Sequence, residues 1–308
     1  MPAEVSELSR RQRIGYFLAD LFLRGLIGLV LLIPYRWRVP MMGWLVAQVV
    51  APVAGLRKRV RANLKLVQPD LSEPEIRRLC RAVPDNAGRK LIELYSPRAF
   101  AERAKGWQIG GPGLAALTEA HAAGRPVIVI SGHFGNYDAA RASLRHRGIE
   151  MGSIYRRMAN PYFNAHYTRM MEAVGKPMFM QGRRGMIEMV RHLRAGGIIA
   201  IAADLHAHGG VEIDFFGKPA VTSTVPAELA LKHNAPLIPV YGLRKPNGLD
   251  FEIIVHEPIP PTDPKTMTQA FNHDLEALVR QHMEQWFWVH RRWKPWFDLG
   301  VQPEDMPG

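Results

Sequence analysis

One short segment of the sequence holds the residue types that acid–base chemistry requires. It reads Ser-Gly-His-Phe-Gly-Asn-Tyr-Asp and runs from Ser131 to Asp138. The imidazole of His133 can accept a proton near neutral pH, and a nearby carboxylate at Asp138 can fix its tautomer and stabilise the imidazolium. Because a hydroxyl is a poor nucleophile at neutral pH, the pair predicts general-base activation of an acceptor hydroxyl. The alternative is that both residues only cap a helix.

Covalent catalysis by a protein nucleophile is not indicated. The sequence has no serine or cysteine in a nucleophile-elbow pattern. Cys80, the single cysteine, falls in a helical pattern without an activating neighbour, and we interpret it as a small core residue. One cysteine excludes a disulfide framework and a thiolate zinc cluster, and it fits a reducing compartment. Direct attack by an acceptor hydroxyl is therefore favoured over a covalent enzyme intermediate.

The elements that must position this segment alternate between strands and helices. Apolar, β-branched residues over 127–131 predict a buried strand that ends just before His133, and a helix follows over 134–147. Further strands are predicted at 151–155, 176–180, 198–203, 236–242 and 251–256, and further helices at 160–174, 183–195, 223–233 and 265–286. The alternation predicts an α/β fold with a mostly parallel central sheet flanked by helices. Ligands bind beyond the carboxyl ends of such strands, where the segments after Ser131 and Ala203 lie.

The N-terminal part of the sequence is apolar enough to associate with a membrane. Residues 14–34 have about the length of a spanning helix, which needs ~20 apolar residues, but one aspartate and one arginine interrupt them. A second uncharged run, 39–56, contains two prolines. We predict an N-terminal membrane-anchoring region over 1–56, which spans the bilayer or lies in one leaflet, and a catalytic domain over 57–308. The alternative is that both runs are buried core helices.

The balance of charge predicts an anionic partner. The chain carries 40 Lys and Arg residues against 28 Asp and Glu residues, a net charge of +12. Such a surface attracts nucleic acid, anionic lipid or an acidic protein. Four of the seven tryptophans lie between residues 286 and 296, among arginines. Their rings could stack on single-stranded nucleic acid, lie at a lipid–water interface, or pack at the end of the fold.

Four segments, in order along the chain, resemble the lipid A biosynthesis (late) acyltransferase family, lauroyl/myristoyl type, of the glycerolipid acyltransferase superfamily. The first is His-Phe-Gly-Asn-Tyr-Asp at 133–138, a version of the superfamily's His-x-x-x-x-Asp motif. The others are Tyr-Arg with a following Asn-Pro at 155–161, Asp204 with Phe-Phe-Gly-Lys-Pro-Ala at 215–220, and the tryptophan-rich segment at 284–294. Two positions depart from the family pattern: Asp138 stands where glutamate is usual, and Leu205 stands where Gln or His is common.

The resemblance implies that a fatty acyl chain moves from an acyl carrier protein thioester to a hydroxyl of a phosphorylated lipid A precursor. His133 would deprotonate the hydroxyl, Asp138 would hold the imidazole, and Arg156 would engage a phosphate. Substrate binding is also assigned to Asn136, Asp204, Lys218 and Arg184. No cofactor and no nucleic-acid partner is expected. The resemblance places the enzyme at the inner membrane, with its catalytic domain on the cytoplasmic face.

Several of these assignments have alternatives. Arg156 and Arg184 could be solvated surface charges. Asp204, at another strand end, could lie near His133 or orient Arg156, or it could only cap a loop. His206 and His208 follow Asp204, but their spacing is not diagnostic of a metal site and none is expected. The acceptor could instead be a lysophospholipid, a glycolipid or an aminolipid, and the donor a coenzyme A thioester. A different class, a basic nucleic-acid-binding protein at the membrane surface, would use the tryptophan-rich segment.

Overall fold

A seven-stranded sheet lies at the centre of the structure, a computed structural model that describes residues 8–294. The strands are β1 (Gln108–Gly110), β2 (Val127–Ser131), β3 (Met151–Tyr155), β4 (Met178–Met180), β5 (Ile198–Ala202), β6 (Val211–Phe215), β7 (Lys218–Thr222), β8 (Leu237–Arg244) and β9 (Phe251–Val255). The order in the sheet is β1-β9-β8-β2-β5-β3-β4, and all neighbours are parallel except β8 and β9. Strands β6 and β7 form a separate antiparallel hairpin.

Helices cover both faces of this sheet. They are α1 (Arg10–Leu31), α2 (Tyr35–Leu45), α3 (Ala51–Val53), α4 (Leu56–Val67), α5 (Glu73–Leu94), α6 (Pro97–Ala104), α7 (Leu114–Ala122), α8 (Tyr137–Arg145), α9 (Pro161–Val174), α10 (Arg183–Arg194), α11 (Val225–His233) and α12 (Pro264–Gln281). A π-helical turn, Val46–Val50, joins α2 to α3, and a 3₁₀ turn, Met283–Gln285, follows α12.

Strand β2 shows why this sequence forms a covered sheet. Its side chains alternate between two hydrophobic cores: Val127 and Val129 pack with one, and Ile128 and Ile130 pack with the other. All four residues are at most 2% exposed. Burial of each such side chain contributes roughly 1.5–3 kcal/mol, so β2 is fixed at the centre of the sheet, between β5 and β8. The carboxyl ends of β2 and β5 therefore lie side by side.

The predicted fold class is confirmed, and the predicted strands and helices after residue 126 are found with boundary shifts of a few residues. The largest shift is at α12, which ends at Gln281 rather than at 286. The sequence patterns missed the three-residue strand β1 and the β6–β7 hairpin. Ser72 caps the start of α5, and Pro84 lies within this continuous helix.

The N-terminal helices present apolar side chains to the outside of the described structure. Among residues 8–294, helix α1 is long and apolar enough to cross a membrane, and only 6% of its apolar window is buried. Its Asp20 pairs with Arg24 at 3.5 Å. The helix from Tyr35 to Val53 forms a second candidate with α4, but the two are bent by 85°. Unlike α1, helix α2 packs closely on α5, where Gly88 faces the Met42 carbonyl.

Candidate active site

The turn after β2 is held in a conformation that glycine favours. Gly135 has a φ of 50°, and a Cβ atom there would lie 2.0 Å from the carbonyl oxygen of Gly242 on β8. The Gly135 amide donates to the Gln285 carbonyl at 2.8 Å, and the Asn136 amide donates to Gly242 at 3.0 Å. These contacts fix the turn between β8 and the 3₁₀ turn, so the backbone at His133 has a defined position.

His133 is paired with Asp204, which follows β5. Its Nδ1 atom lies 2.7 Å from Asp204 Oδ1, and its backbone amide donates to Asp204 Oδ2 at 2.7 Å. The same Oδ2 accepts a hydrogen bond of 2.8 Å from the indole Nε1 of Trp286. A carboxylate can only accept, so Nδ1 carries the proton and Nε2 is the basic ring nitrogen. This is the arrangement that a histidine general base requires.

Asp204 is a buried but ionised carboxylate. It is 1% exposed, and burial alone would raise its pKa. The charge of His133 and the hydrogen bonds from His133 and Trp286 outweigh burial and lower the pKa of Asp204 to about 2. The carboxylate therefore stays negative at physiological pH, where it can orient the imidazole and stabilise an imidazolium.

Asp138 does not hold His133 in the way that the sequence suggested. Its Oδ1 atom accepts a hydrogen bond of 2.9 Å from Arg141, which also donates to the Gly175 carbonyl at 2.6 Å. Both side chains are buried. Because α8 begins at Tyr137, Asp138 and Arg141 lie one turn apart on the same helix face and pair locally. Asp138 still lines the cavity beside His133, but the carboxylate bonded to the imidazole is that of Asp204.

A buried polar network supports the turn from below. Glu93 of α5 is fully buried and forms two hydrogen bonds with Arg244, of 2.5 and 2.9 Å. Glu93 also accepts a hydrogen bond of 2.9 Å from the side-chain amide nitrogen of Asn136. The amide oxygen of Asn136 caps α8 by accepting a hydrogen bond from the backbone N–H of Asp138. Both ends of the Asn136 side chain thus form hydrogen bonds inside the protein, where they shape the turn, and its predicted contact with substrate stays a prediction.

Two cavities meet at His133. The smaller cavity, of about 400 Å³, lies between α5 and the turn, and the larger, of about 810 Å³, extends toward α10 and α11. Arg156, which follows β3, lines both cavities. The wall of the larger cavity is mostly apolar and includes Met151, Met186, Met189, Ile201 and Val225.

Two other predicted binding residues lie apart from His133. Arg184 is 88% exposed and pairs with Glu188 at 3.0 Å, whereas its neighbour Arg183 lines the larger cavity. Lys218 begins strand β7, in the separate hairpin, and lines neither cavity. Arg184 stands beside a second arginine, and composition alone could not tell which of the two faces the cavity.

The histidines after Asp204 belong to the wall of the larger cavity. Burial lowers the pKa of His290 to about 4, so its ring is neutral and its Nε2 accepts the backbone amide of His206 at 3.0 Å. The rings of His206 and His208 contact each other edge to face. Within residues 8–294, no group of three or more His, Cys, Asp or Glu side chains could hold a metal ion.

The tryptophan-rich segment supplies a site residue that the sequence did not reveal. Trp286, Trp288 and Trp293 are at most 1% exposed and pack on Phe215 and Phe216 of the hairpin. Buried rings cannot stack on nucleic acid, so these three tryptophans do not support the alternative of a nucleic-acid-binding protein. The fourth tryptophan of the segment, at 296, lies outside the described residues. In the sequence, Trp286 stood out only as one of several neighbouring tryptophans. That pattern did not indicate its hydrogen bond to Asp204.

Comparison with known proteins matches this chain to one family over nearly its whole length. The bacterial lipid A biosynthesis acyltransferase family matches residues 7–295. The lipid A biosynthesis lauroyltransferase of Escherichia coli is 27% identical over 289 residues, which cover 86% of this chain and 90% of that protein. A lipid A biosynthesis acyltransferase of Haemophilus influenzae is 25% identical, with coverage of 86% and 85%. A phosphatidylinositol mannoside acyltransferase of Mycobacterium tuberculosis is 25% identical, with coverage of 59% and 58%.

Proposed function

The chain belongs to the bacterial lipid A biosynthesis acyltransferase family, and we propose that it transfers a fatty acyl chain from an acyl carrier protein thioester to a hydroxyl of a phosphorylated lipid A precursor, with His133 as general base. The family is one of acyltransferases with lipid acceptors. The donor, the particular acceptor and the histidine mechanism are the proposal. The observation that carries it is the hydrogen bond between His133 and the ionised Asp204, where two cavities meet.

The proposed reaction uses His133 twice. Its Nε2 atom accepts the hydroxyl proton while the acceptor oxygen forms a bond to the thioester carbonyl carbon. The tetrahedral intermediate then collapses, the carbon–sulfur bond breaks, and the imidazolium returns the proton to the thiolate. Asp204 accepts a hydrogen bond from the Nδ1–H group of His133 throughout, which keeps the required tautomer and stabilises the cation.

The two cavities support separate places for the acyl chain and the acceptor. Methionine and aliphatic side chains line the larger cavity, and they suit a flexible hydrocarbon because methionine adapts its shape to its neighbours. We place the acyl chain there and the polar part of the acceptor in the smaller cavity, which holds most of the charged residues near His133. Arg156 lies where the two cavities adjoin, in reach of an acceptor phosphate.

The charge of the whole chain supports an acidic protein as the donor. The net charge of +12 would attract an acidic carrier protein and speed its association. The proposed lipid acceptor and the apolar outer face of α1 support a membrane location. We therefore propose that residues 1–56 anchor the enzyme to the inner membrane and that the remaining domain faces the cytoplasm.

The first experiment measures acyl transfer by the wild type and by His133→Ala, Asp204→Asn and Asp138→Asn. We expect His133→Ala and Asp204→Asn to lower kcat/KM by about 10²–10⁴, because one removes the base and the other its orientation. Asp138→Asn leaves Arg141 buried without its carboxylate, so its main effect is a lower melting temperature. Activity is followed by mass spectrometry of the product lipid, with acyl carrier protein or coenzyme A thioesters as donors.

His273→Ala is the matched control, because His273 is exposed on α12 and lines neither cavity. It should retain wild-type activity. Unchanged activity in His133→Ala would overturn the mechanism. Transfer to a lysophospholipid or a glycolipid, but not to the lipid A precursor, would overturn the proposed acceptor and leave the mechanism in place.

A further inference from the structure

Lys90 is a cation of the smaller cavity that the proposed reaction does not use. It lies on α5 and lines the cavity with His133 and Asp138. Its ammonium lies 3.0 Å from the ring centroid of Tyr137, and the Tyr137 ring contacts the His133 ring edge to face, with centroids 5.4 Å apart. One aromatic ring therefore separates this cation from the general base.

Helix α5 is fixed to the active-site turn on both sides of Lys90. One turn before it, the Asn86 amide donates to the carbonyl oxygens of Gly135 and Gln285. One turn after it, Glu93 holds Asn136 and Arg244. The backbone of Lys90 therefore has a set position relative to His133, and its side chain is presented to the cavity by a rigid element.

Three carboxylates act on the charge of Lys90 from a distance, but none of them among the described residues forms a close ion pair with it. The carboxylate of Asp138 pairs with Arg141 instead, and within residues 8–294 no carboxylate lies within 4.0 Å of the Lys90 ammonium. Burial lowers the pKa of Lys90 to about 8, although the charges of Asp138, Asp204 and Glu93 act to raise it. A cation in such a place is costly unless a ligand supplies the counter-charge.

Arg156 is the second cation of this cavity without a carboxylate partner among the described residues. Two unpaired cations suit a dianion better than they suit the single charge of a tetrahedral intermediate. A phosphate monoester carries about −1.5 to −2 charges and accepts several hydrogen bonds. Lysine binds it as a point charge, and arginine binds it through its planar fork.

We propose that Lys90 and Arg156 together form the binding site for a phosphate group of the acceptor lipid. This inference rests on the proposed function and names the group by which the enzyme would select its acceptor. Lys90 contacts the phosphate from α5, inside the cavity, and Arg156 contacts it from the exposed end of β3. The phosphate thereby holds the acceptor hydroxyl beside His133.

The test compares the lipid A precursor with the same lipid after removal of its phosphates. For Lys90→Met, we expect the KM for the phosphorylated lipid to rise by about 10- to 100-fold, the range for loss of a hydrogen bond to a charged group. The rise for the dephosphorylated lipid should be less than about threefold. Lys90→Arg keeps the charge and should recover most of the lost affinity. Lys105→Met, which removes an exposed lysine of the α6 end, is the matched control.

A second measurement does not require turnover. Binding of the phosphorylated precursor, without thioester, is measured by calorimetry for the wild type and for Lys90→Met. Weaker binding by the variant supports the phosphate site, whether or not acyl transfer is detected. Absence of acyl transfer by the wild type would overturn the proposed function but not the phosphate site. Equal losses with both lipids, or a fall in kcat with KM unchanged, would overturn the phosphate site. Melting temperatures of the variants show whether each one is folded.

Discussion

At the scale of single residues, Asp204 is the carboxylate on which the geometry of His133 depends. Its pKa in the folded protein, about 2, lies below its ordinary value of 3.8. The ionised form is therefore stabilised by folding, and this contribution is complete above pH 4 to 5 and is lost as the pH falls toward 2. One pKa unit equals about 1.4 kcal/mol, so the contribution is about 2 kcal/mol.

Asp204→Asn should remove this pH-dependent contribution. We expect the free-energy difference of unfolding between wild type and variant to shrink by about 1–2 kcal/mol between pH 6 and pH 3, because the wild type loses an advantage that the variant lacks. Urea unfolding followed by circular dichroism measures it. Asp70→Asn, at an exposed position, is the control and should follow the wild type. Parallel curves for wild type and Asp204→Asn would contradict the assignment.

The sequence marked His133 as a candidate base and assigned Asp138 as its carboxylate, with Asp204 only as a residue that could lie nearby. The histidine in a glycine-containing turn after a buried strand was a candidate base, and the further segments that resemble the family strengthened this prediction. Asp138 was the nearest carboxylate along the chain, but the first turn of α8 pairs it with Arg141. Asp204 lies 71 residues after His133, and only the adjacency of β2 and β5 in the sheet brings the two together.

At the scale of elements, the turn between β2 and α8 must be tight enough to place His133 against Asp204. Gly135→Ala should disrupt it, because a methyl group there would overlap the Gly242 carbonyl at a φ that L-residues disfavour. We expect a loss of about 2 kcal/mol or more of stability and at least a tenfold loss of acyl transfer. Thermal unfolding and the transfer assay measure both effects.

Gly110→Ala is the control for this substitution. Gly110 lies in β1, and a Cβ atom there meets nothing within 4 Å. A change of less than about 1 kcal/mol is expected. A Gly135→Ala variant as stable and active as Gly110→Ala would show that the turn tolerates the wider geometry and that its contact with β8 is not required.

Periodicity predicted most elements because most of them bury a regular face. The five predicted strands after β2 and the helices between them follow this pattern. The β6–β7 hairpin was missed although its strands are as long as β2, because β7 begins with Lys-Pro and a proline within a run counts against a strand. Helix α12 was predicted too long because the aromatic run continues past Gln281, whereas the chain turns at 283–285 to direct Trp286 toward Asp204.

At the scale of the whole molecule, the site joins parts of the chain that are far apart in sequence. Asp204 contacts Trp286, 82 residues later, and Glu93 contacts Arg244, 151 residues later. No local pattern encodes such pairs, since each depends on which strands and helices become neighbours. The buried ion pair of Glu93 and Arg244 is sensitive to loss of either partner, so the fold and the position of the turn at Asn136 depend on the same two residues.

The outer face of α1 leads to the last prediction, which concerns the membrane. Leu18, Phe22 and Leu29 are 57%, 70% and 64% exposed, so they contribute little to folding. Burial of these three side chains in lipid would contribute roughly 1.5–3 kcal/mol each to membrane binding. We expect the triple substitution to serine to lower partitioning into phosphatidylethanolamine–phosphatidylglycerol vesicles by at least about a hundredfold, with the melting temperature nearly unchanged.

Sedimentation with vesicles measures this partitioning, and salt separates its two causes. Ile187→Ser and Leu231→Ser, which remove exposed apolar side chains of α10 and α11, should bind vesicles as the wild type does. If the apolar face of α1 anchors the protein, wild-type binding persists in 1 M salt, at which the Debye length is about 3 Å and surface charge is screened. Release of the wild type by salt, or normal binding by the triple variant, would instead assign the membrane contact to the basic surface. Such a result would show that the exposed leucine and phenylalanine side chains of α1 are not buried in lipid, and it would remove the proposed anchoring role of this helix.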